Sequence, residues 1–332
     1  MLSRVAESIY WLCRYIERAE NIARFINVNW RLMLDFPAAG QQPQWGPLVQ
    51  ITGDGELFFA RYKHATKENV LKFLAFDRDY PNSILSCLYA ARENARTVRE
   101  IIPVDMWEHV NIFYLSVKSV SELNNPGYTP LDFYQDIVRQ SAAFIGMTMA
   151  MMTHNEGWHF CRVGRMLERA DKTSRMLDVK YFYLLPSPAE VGLTIDNVQW
   201  SALLRSVSAL QAYRQKYGRI APPHVVEYLL LDREFPRSVR YCAGRVQDSL
   251  HSISGTPLGT FGNEAERRCG MLMSELSYMR VDDIMDTGLH EFIDACQLKL
   301  NGIGDAIFGT FFALRPIEGA ARAPVFYQEQ RL

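Results

Sequence analysis

Apolar residues recur at steps of three and four along nearly the whole of this chain, which restricts it to a helical fold. The first segment shows the pattern most clearly, in Val5, Ile9, Leu12, Ile16, Ala19, Ala23 and Ile26. Residues at these steps lie on one face of an α-helix. Because the first proline is Pro37, the spacing predicts a helix over residues 3–34, about 45 Å long at about 1.5 Å per residue.

The rest of the chain follows the same pattern, and no stretch alternates apolar and polar residues as a strand would. Further helices are predicted at about residues 56–76, 81–101, 104–123, 131–153, 156–184, 197–217, 223–231, 236–253, 261–280 and 282–313. Residues 314–332 contain Pro316, Gly319 and Pro324 and are predicted to form a poorly packed C-terminal tail. The sequence therefore predicts an all-α protein.

Two motifs occur twice in the same order. "RYIERAE" at 14–20 returns as "RMLERAD" at 165–171, and "FDRDYPNSI" at 76–84 returns as "LDREFPRSV" at 231–239. The copies of each motif lie about 150 residues apart, which favours an internal duplication. We therefore predict one large helical bundle over 1–313, built from two duplicated halves near 1–150 and 155–313. A pseudo-twofold axis between such halves would bring Glu17 and Glu168 close together.

The first motif gathers arginines and acids on one side of its helix. Arg14 and Glu17 are three residues apart, and Glu20 and Arg24 are four apart, so both pairs are predicted to bridge within the helix. The candidate binding or interface residues of the two copies are Arg14, Arg18, Glu20, Asn21, Arg24, Arg165, Arg169, Asp171 and Arg175. A solvated charged face would explain them in a generic helix. Their recurrence makes a packed polar seam or a ligand site as well supported as a solvated face, since arginine pairs bidentately with carboxylates and phosphates.

The second motif predicts a tight corner, because the residue before a proline leaves helical geometry and proline favours the first helical turn. New helices are predicted to begin at Pro81 and Pro236. Asp77 and Asp232 would brace these corners. An alternative is an anion bound at the second helix start beside Arg237, for which the first copy offers only Asn82.

A second arginine stripe, Arg92 and Arg96 with Glu93 between them, follows the first corner, and Glu156 precedes the second "ERA" copy. Both are further interface candidates. Motifs for metals, nucleotides and nucleophiles are missing from the sequence, and His154 and His159 are five apart rather than the four of a zinc HExxH motif. The sequence thus predicts no metal and no cofactor.

Composition narrows the class of protein further. Apolar residues make up 48% and charged residues 22% of 332, with a net charge of −1, so no overall field attracts nucleic acid or an anionic membrane. The opening residues carry charges where a secretory signal needs an apolar core, and the longest weakly polar run, 141–152, is too short to span a membrane. We expect a cytoplasmic protein whose six cysteines stay reduced and buried.

Four stretches together resemble the bacterial alpha-E family, helical proteins named for their characteristic glutamates. They are "SRVAESIYWLCRYIERAENIAR", "YPNSILSCLYAARENARTVREIIPVDMWEHVN", "HNEGWHFCRVGRMLERADKTSRMLD" and "LDREFPRSV". The resemblance covers nearly the whole chain. It places the family's glutamates at Glu17, Glu20 and Glu168, with Glu93 and Glu156 as further candidates.

The resemblance also implies partners, because alpha-E proteins are typically encoded beside circularly permuted ATP-grasp ligases and transglutaminase-like proteins. It implies a part in an ATP-dependent carboxylate–amine ligation that makes or modifies peptides.

Three hypotheses follow. The chain is a non-catalytic helical partner that docks the ligase or presents its substrate; or an enzyme using Glu17 and Glu168 as acid and base, one with a raised pKa; or a structural protein whose motifs form a buried salt-bridge seam.

Overall fold

Every regular element in the described part of the chain is helical, as the apolar spacing predicts. A computed structural model describes residues 1–35, 45–123, 131–183 and 194–313. Its α-helices are α1 Ser3–Asp35, α2 Gly46–Thr52, α3 Gly55–Arg61, α4 Lys67–Leu71, α5 Ile84–Thr97, α6 Val104–Glu122, α7 Leu131–Ala150, α8 Glu156–Tyr183, α9 Thr194–Ser206, α10 Leu210–Tyr217, α11 Pro222–Leu230, α12 Val239–Ser254, α13 Glu264–Tyr278, α14 Val281–Thr287 and α15 Leu289–Ile307. Two π-helical turns, Lys72–Phe76 and Phe308–Phe312, extend α4 and α15. Within these ranges, each helix is too short or too polar to cross a membrane. The predicted tail, 314–332, lies outside the described residues.

The two longest helices, α1 and α8, lie side by side at the centre of the molecule. They run in the same direction, since Ile9 lies beside Gly157 and, further along both helices, Glu17 bonds to Arg169. Helix α1 also packs on α5 and α7, and α8 on α12 and α15. The ion pairs of Glu17 with Arg169 and of Glu168 with Arg18 cross this central contact.

Gly164 lets the two central helices approach closely. A Cβ atom at this position would lie 2.3 Å from the main-chain oxygen of Tyr10, which is far inside van der Waals contact. Any larger residue would push the helices apart, so glycine sets their spacing.

Corresponding helices of the two predicted halves have corresponding neighbours. Helix α5 packs on α1 as α12 packs on α8. Cys87 and Cys242, which follow the second motif at equal distances, each place their sulfur near the carbonyl of Pro81 or Pro236, at 3.9 and 3.6 Å. An internal duplication predicts this matching of helix neighbours and of cysteine positions, and the duplication itself stays a prediction. All six cysteines are buried and unbridged.

The prediction that new helices begin at Pro81 and Pro236 is wrong by three residues. Ser83 and Ser238 adopt extended backbone and act as N-caps, so that α5 begins at Ile84 and α12 at Val239. Their hydroxyls accept the N–H groups three residues on, at 3.1 and 3.0 Å. Serine is a favoured N-cap because its oxygen satisfies one of the free N–H groups of the first turn.

Three long predicted helices are divided, and one short helix was missed. The prediction 282–313 breaks at Gly288, which has a φ of 102°, and 197–217 breaks at Ser208, which has a φ of 56°. The prediction 56–76 breaks before Thr66, which caps α4 by accepting the Asn69 N–H. Helix α2 starts at Gly46 in a segment read as loop. A left-handed residue or a new cap ends a helix without disturbing its apolar spacing, which is why periodicity alone merges these elements.

Candidate functional site

The two copies of the repeated Glu-Arg dipeptide bind each other across the contact between α1 and α8. Arg169 donates through Nε to Oε1 of Glu17 at 2.8 Å and through Nη2 to Oε2 at 2.7 Å. Arg18 donates in the same way to Glu168, at 2.6 and 3.0 Å. Each arginine is thus bidentate on the glutamate of the other copy, the strongest arrangement for this pair. We call these four residues the ER seam.

The carboxylates of the ER seam are closed off from solvent. Glu17 is 1% exposed and Glu168 is 0% exposed. Two clefts of about 510 and 290 Å³ are lined by Arg24 and by Arg14 respectively, and by none of the four seam residues. Solvent or a small molecule in these clefts therefore meets arginines and not the carboxylates.

Glu168 lies among three cations. Besides Arg18, Arg14 donates through Nε to its Oε2 at 2.9 Å, and the Lys172 ammonium lies 3.6 Å from its Oε1. Burial opposes ionisation, but Arg18, Lys172 and Arg14 outweigh it and hold the pKa of Glu168 well below its ordinary value. The structure corrects the prediction that Arg14 bridges to Glu17 within α1: its carboxylate comes from α8.

Glu17 has a second set of partners. Arg237 donates to its Oε1 at 3.2 Å, and the Asn21 amide donates to the same oxygen at 3.1 Å. Burial alone would raise the pKa of Glu17, but Arg169 and Arg237 lower it to about 2. Both glutamates of the seam are therefore ionised at neutral pH, the opposite of what the acid–base hypothesis requires.

The prediction of an anion beside Arg237 is not supported, because this side chain faces the protein. Its Nη1 also donates to Oδ1 of Asn21, at 3.1 Å, and its Nη2 donates to Glu20. Burial lowers the pKa of Arg237 to about 10, which leaves it charged at neutral pH. The anions that Arg237 binds are thus the carboxylates of Glu17 and Glu20 on α1.

The two corner motifs, residues 76–84 and 231–239, provide further hydrogen-bond acceptors for the arginines of the seam. Arg18 donates to Oδ1 of Asn82 at 2.6 Å, and Arg169 lies 3.4 Å from the carbonyl of Pro236. Asp232 braces its corner as predicted, accepting the N–H groups of Glu234 and Phe235 at 2.8 and 2.7 Å. Each corner therefore positions the arginine of its own half, which explains why the two motifs recur together.

A second pair of ion pairs continues the seam. Arg24 donates to Glu20 at 2.7 Å, as predicted, and Arg175 donates to Asp171 at 3.0 Å at the equivalent place on α8. Burial opposes the ionisation of Asp171, but Lys172 and Arg175 lower its pKa.

Arg165 departs from the symmetry. It is 7% exposed, its Nη1 lies 3.5 Å from the Thr148 hydroxyl, and its Nε has no hydrogen-bond partner in the structure. Its counterpart Arg14 donates to the hydroxyl of Tyr10, at 2.8 Å. Cys161 stands in place of that tyrosine four residues before Arg165. The second copy therefore lacks one acceptor of the first.

The remaining candidates lie apart from the seam. Glu93 binds Arg92 at 2.9 Å and Arg96 at 2.6 Å on the outer side of α5. Glu156, half-exposed, contacts the α-amino group of Met1 at 2.6 Å. Neither group contacts the ER seam.

Several partners of the seam were missed from the sequence. Lys172 follows Glu168 by four residues, a spacing that allows an ion pair along a helix. This spacing could have identified the pair from the sequence. Ser141 donates to Glu20 at 2.6 Å from 121 residues away, and no local pattern points to it.

One further polar cluster was also missed. His290 of α15 contacts Asp178 of α8 at 2.8 Å through Nδ1 and Asp294 at 3.5 Å through Nε2. The hydrogen bond that the Asp178 carboxylate accepts from the ring raises the pKa of His290. With a carboxylate near each ring nitrogen, this cluster is a polar link between α8 and α15.

Comparison with known proteins places the chain among helical proteins with this motif. The family model for an alpha-helical domain with a conserved ER motif matches residues 1–312. Uncharacterised proteins of Mycobacterium bovis and of two strains of Mycobacterium tuberculosis are each 22% identical over 340 residues, covering 94% of this chain. The chain spans only 37% of the length of these relatives. No solved structure gives a significant match.

Proposed function

Because the chain belongs to the Alpha-E family, we propose that it is a non-catalytic helical partner that docks an ATP-grasp ligase in the cytoplasm, or presents that ligase's peptide substrate. In this proposal the ligase performs the ATP-dependent joining of a carboxylate to an amine. The helical protein supplies a rigid frame and a binding surface. A transglutaminase-like protein is the other partner that the family resemblance implies.

The burial of the ER seam is the observation that carries this proposal. The family's conserved dipeptides neutralise each other inside the molecule, where both carboxylates have lowered pKa values. A general acid at neutral pH needs a raised pKa and access to a substrate. The conserved residues therefore support a frame, and the chemistry is assigned to another protein.

The length of the curated relatives agrees with a module that acts together with other sequence. A segment like this one occupies 37% of each.

The outer face of α5 and α6 is the surface that we propose for docking. Arg92 lies over the rings of Trp107 and Tyr114, with its Cζ atom 5.9 and 5.5 Å from their centroids. On the same helix, α6, Ile112 is 65% exposed and Leu115 47% exposed. Arginine and aromatic residues next to exposed aliphatic ones are the composition that protein interfaces favour.

The test measures ATP turnover by the ATP-grasp ligase, alone and mixed with this protein, together with co-elution of the two. Ile112→Lys is expected to abolish both stimulation and co-elution, because it places a charge in the proposed interface. Met271→Lys on α13 is the matched control, since Met271 is 61% exposed and lies on another helix.

Failure of the wild-type protein to co-elute or to change turnover would refute the proposal. Equal loss with both variants would refute the docking face. Substitutions in the ER seam are unsuitable for this test, because they perturb the fold.

A further inference from the structure

A cleft of about 510 Å³ lies where α1, α7, α9 and the start of α10 meet, and the proposed function makes no use of it. Its volume is within the range of small-molecule sites, about 300–1,000 Å³. The lining combines aliphatic side chains with arginines and carboxamides. Its aliphatic part is Val28, Val138, Val198, Ala202 and Leu210.

Three arginines border the cleft: Arg24, Arg139 and Arg205. Arg24 is neutralised by Glu20. Arg139 has only a distant partner, Asp136, at 3.8 Å. Arg205 is exposed and forms no ion pair with the residues that the structure describes. The cleft therefore holds an excess of positive charge, centred on Arg205, which attracts an anion.

The first turn of α10 adds to this positive potential. Its N-cap, Ala209, offers no side-chain acceptor, and Leu210 and Gln211 line the cleft. The free N–H groups at the start of a helix bind anions. Arg24 fixes the segment before this turn by donating to the Ser206 carbonyl at 3.3 Å and to the Ser208 hydroxyl at 2.7 Å.

Ser208 carries backbone strain at the same place. Its φ of 56° is the only positive φ of a non-glycine residue in the described ranges. Such strain costs on the order of 1–3 kcal/mol and concentrates at ligand-binding sites. Here it turns the chain so that the start of α10 borders the cleft.

Carboxamide groups provide the remaining polar lining, from Asn27, Gln135 and Gln211. Asn27 is 9% exposed, and its side-chain oxygen has no hydrogen-bond partner in the structure. A buried amide oxygen without a donor is unusual. A ligand N–H group would satisfy it after a small rotation of the side chain.

We infer that this cleft binds the carboxylate end of a short peptide. The carboxylate pairs with Arg205 and the start of α10, the peptide amides bond to the carboxamides, and a small aliphatic side chain packs on the valines. One guanidinium without an ion pair among the described residues, together with a helix end, matches one negative charge better than the two of a phosphate. This inference concerns binding by the protein alone and stands whether or not a ligase docks on α5 and α6.

Isothermal titration tests the inference with three probes: N-acetyl-alanyl-valine, the same peptide with a C-terminal amide, and inorganic phosphate. The free acid is expected to bind, and the amide and phosphate to bind at least ten-fold more weakly. Arg205→Gln is expected to reduce affinity for the acid about ten-fold or more, the effect of losing one charged hydrogen bond. Arg214→Gln on α10 is the control, because Arg214 is also exposed and does not line the cleft.

Circular dichroism of each variant verifies that it is folded, which is expected because neither arginine forms an ion pair with a described residue. Absence of binding by the acid, or equal binding by acid and amide, would overturn the inference. So would phosphate binding as tight as that of the acid, or an Arg205→Gln variant with the affinity of the wild type.

Discussion

Removing one charge from the ER seam tests whether it holds the molecule together. Glu168→Gln keeps the shape of the side chain and removes its negative charge. The glutamate oxygens accept three hydrogen bonds, two from Arg18 and one from Arg14. Glutamine has one oxygen, so its NH₂ group would face an arginine donor. Three cations would then lie near a neutral side chain that is 0% exposed.

The magnitude follows from this geometry. Removing one partner of a buried ion pair costs about 3–5 kcal/mol, because the other charge stays buried without compensation. We expect the free energy of unfolding of Glu168→Gln to fall by that amount, measured by urea denaturation followed by circular dichroism at 222 nm.

Glu93→Gln provides a matched control, since Glu93 also binds two arginines but is 28% exposed. A pair that water screens contributes about 0–1 kcal/mol. If Glu168→Gln loses no more than Glu93→Gln does, the seam is not structural, and the ligand-site hypothesis for the glutamates regains its place.

The remaining predictions concern the other glutamate, the helix contact and a cap. Glu17 has a folded-state pKa of about 2, below its ordinary 4.5, so the stabilisation that its charge provides is present above pH 4.5 and is lost as the pH falls towards 2. The difference in unfolding free energy between wild type and Glu17→Gln should therefore shrink by about 3 kcal/mol over this range. A difference that stays constant with pH would contradict this prediction. Gly164→Ala should lower the unfolding free energy by about 1–3 kcal/mol. Gly146→Ala should raise it by about 0.5–1 kcal/mol, because a Cβ at Gly146 meets nothing within 4 Å. Urea midpoints of the two variants that move in the same direction would be inconsistent with this. Ser238→Ala should cost about 0.5–2 kcal/mol through loss of the α12 cap, against less than about 0.5 kcal/mol for exposed Ser119→Ala in a thermal melt, and equal melting temperatures would exclude the cap.

Periodicity was sufficient to predict the helices, because each apolar stripe reflects a buried face. It failed where a single residue ends a helix without breaking the stripe, as Gly288 does between α14 and α15. The repeated Glu-Arg dipeptide identified the residues of the central contact. The ion-pair partner of Arg14 was predicted wrongly, since spacing in the sequence shows which residues are neighbours along one helix and not which are neighbours across two helices.

The sequence did not decide between a buried seam, a ligand site and a solvated face for these charges. Arginine and glutamate are mostly exposed in proteins unless they are paired, and the pairing of Glu17 with Arg169 exists only once α1 and α8 pack. The cleft beside Arg205 was missed for the same reason. Its walls come from α1, from α7 and from the consecutive helices α9 and α10, three regions that are distant in sequence.

The reciprocal pairing of the seam also has a consequence for the order of synthesis. Glu17 bonds to residues 152 and 220 positions later in the chain. At about 5–20 residues per second, translation takes on the order of ten seconds or more to deliver the second of these arginines. Until then Glu17 emerges on α1 without Arg169 and Arg237, its two arginine partners, and resists removal from water. The nascent amino-terminal half therefore cannot close around its own longest helix, and the central pair of helices is completed only after most of the polypeptide has left the ribosome.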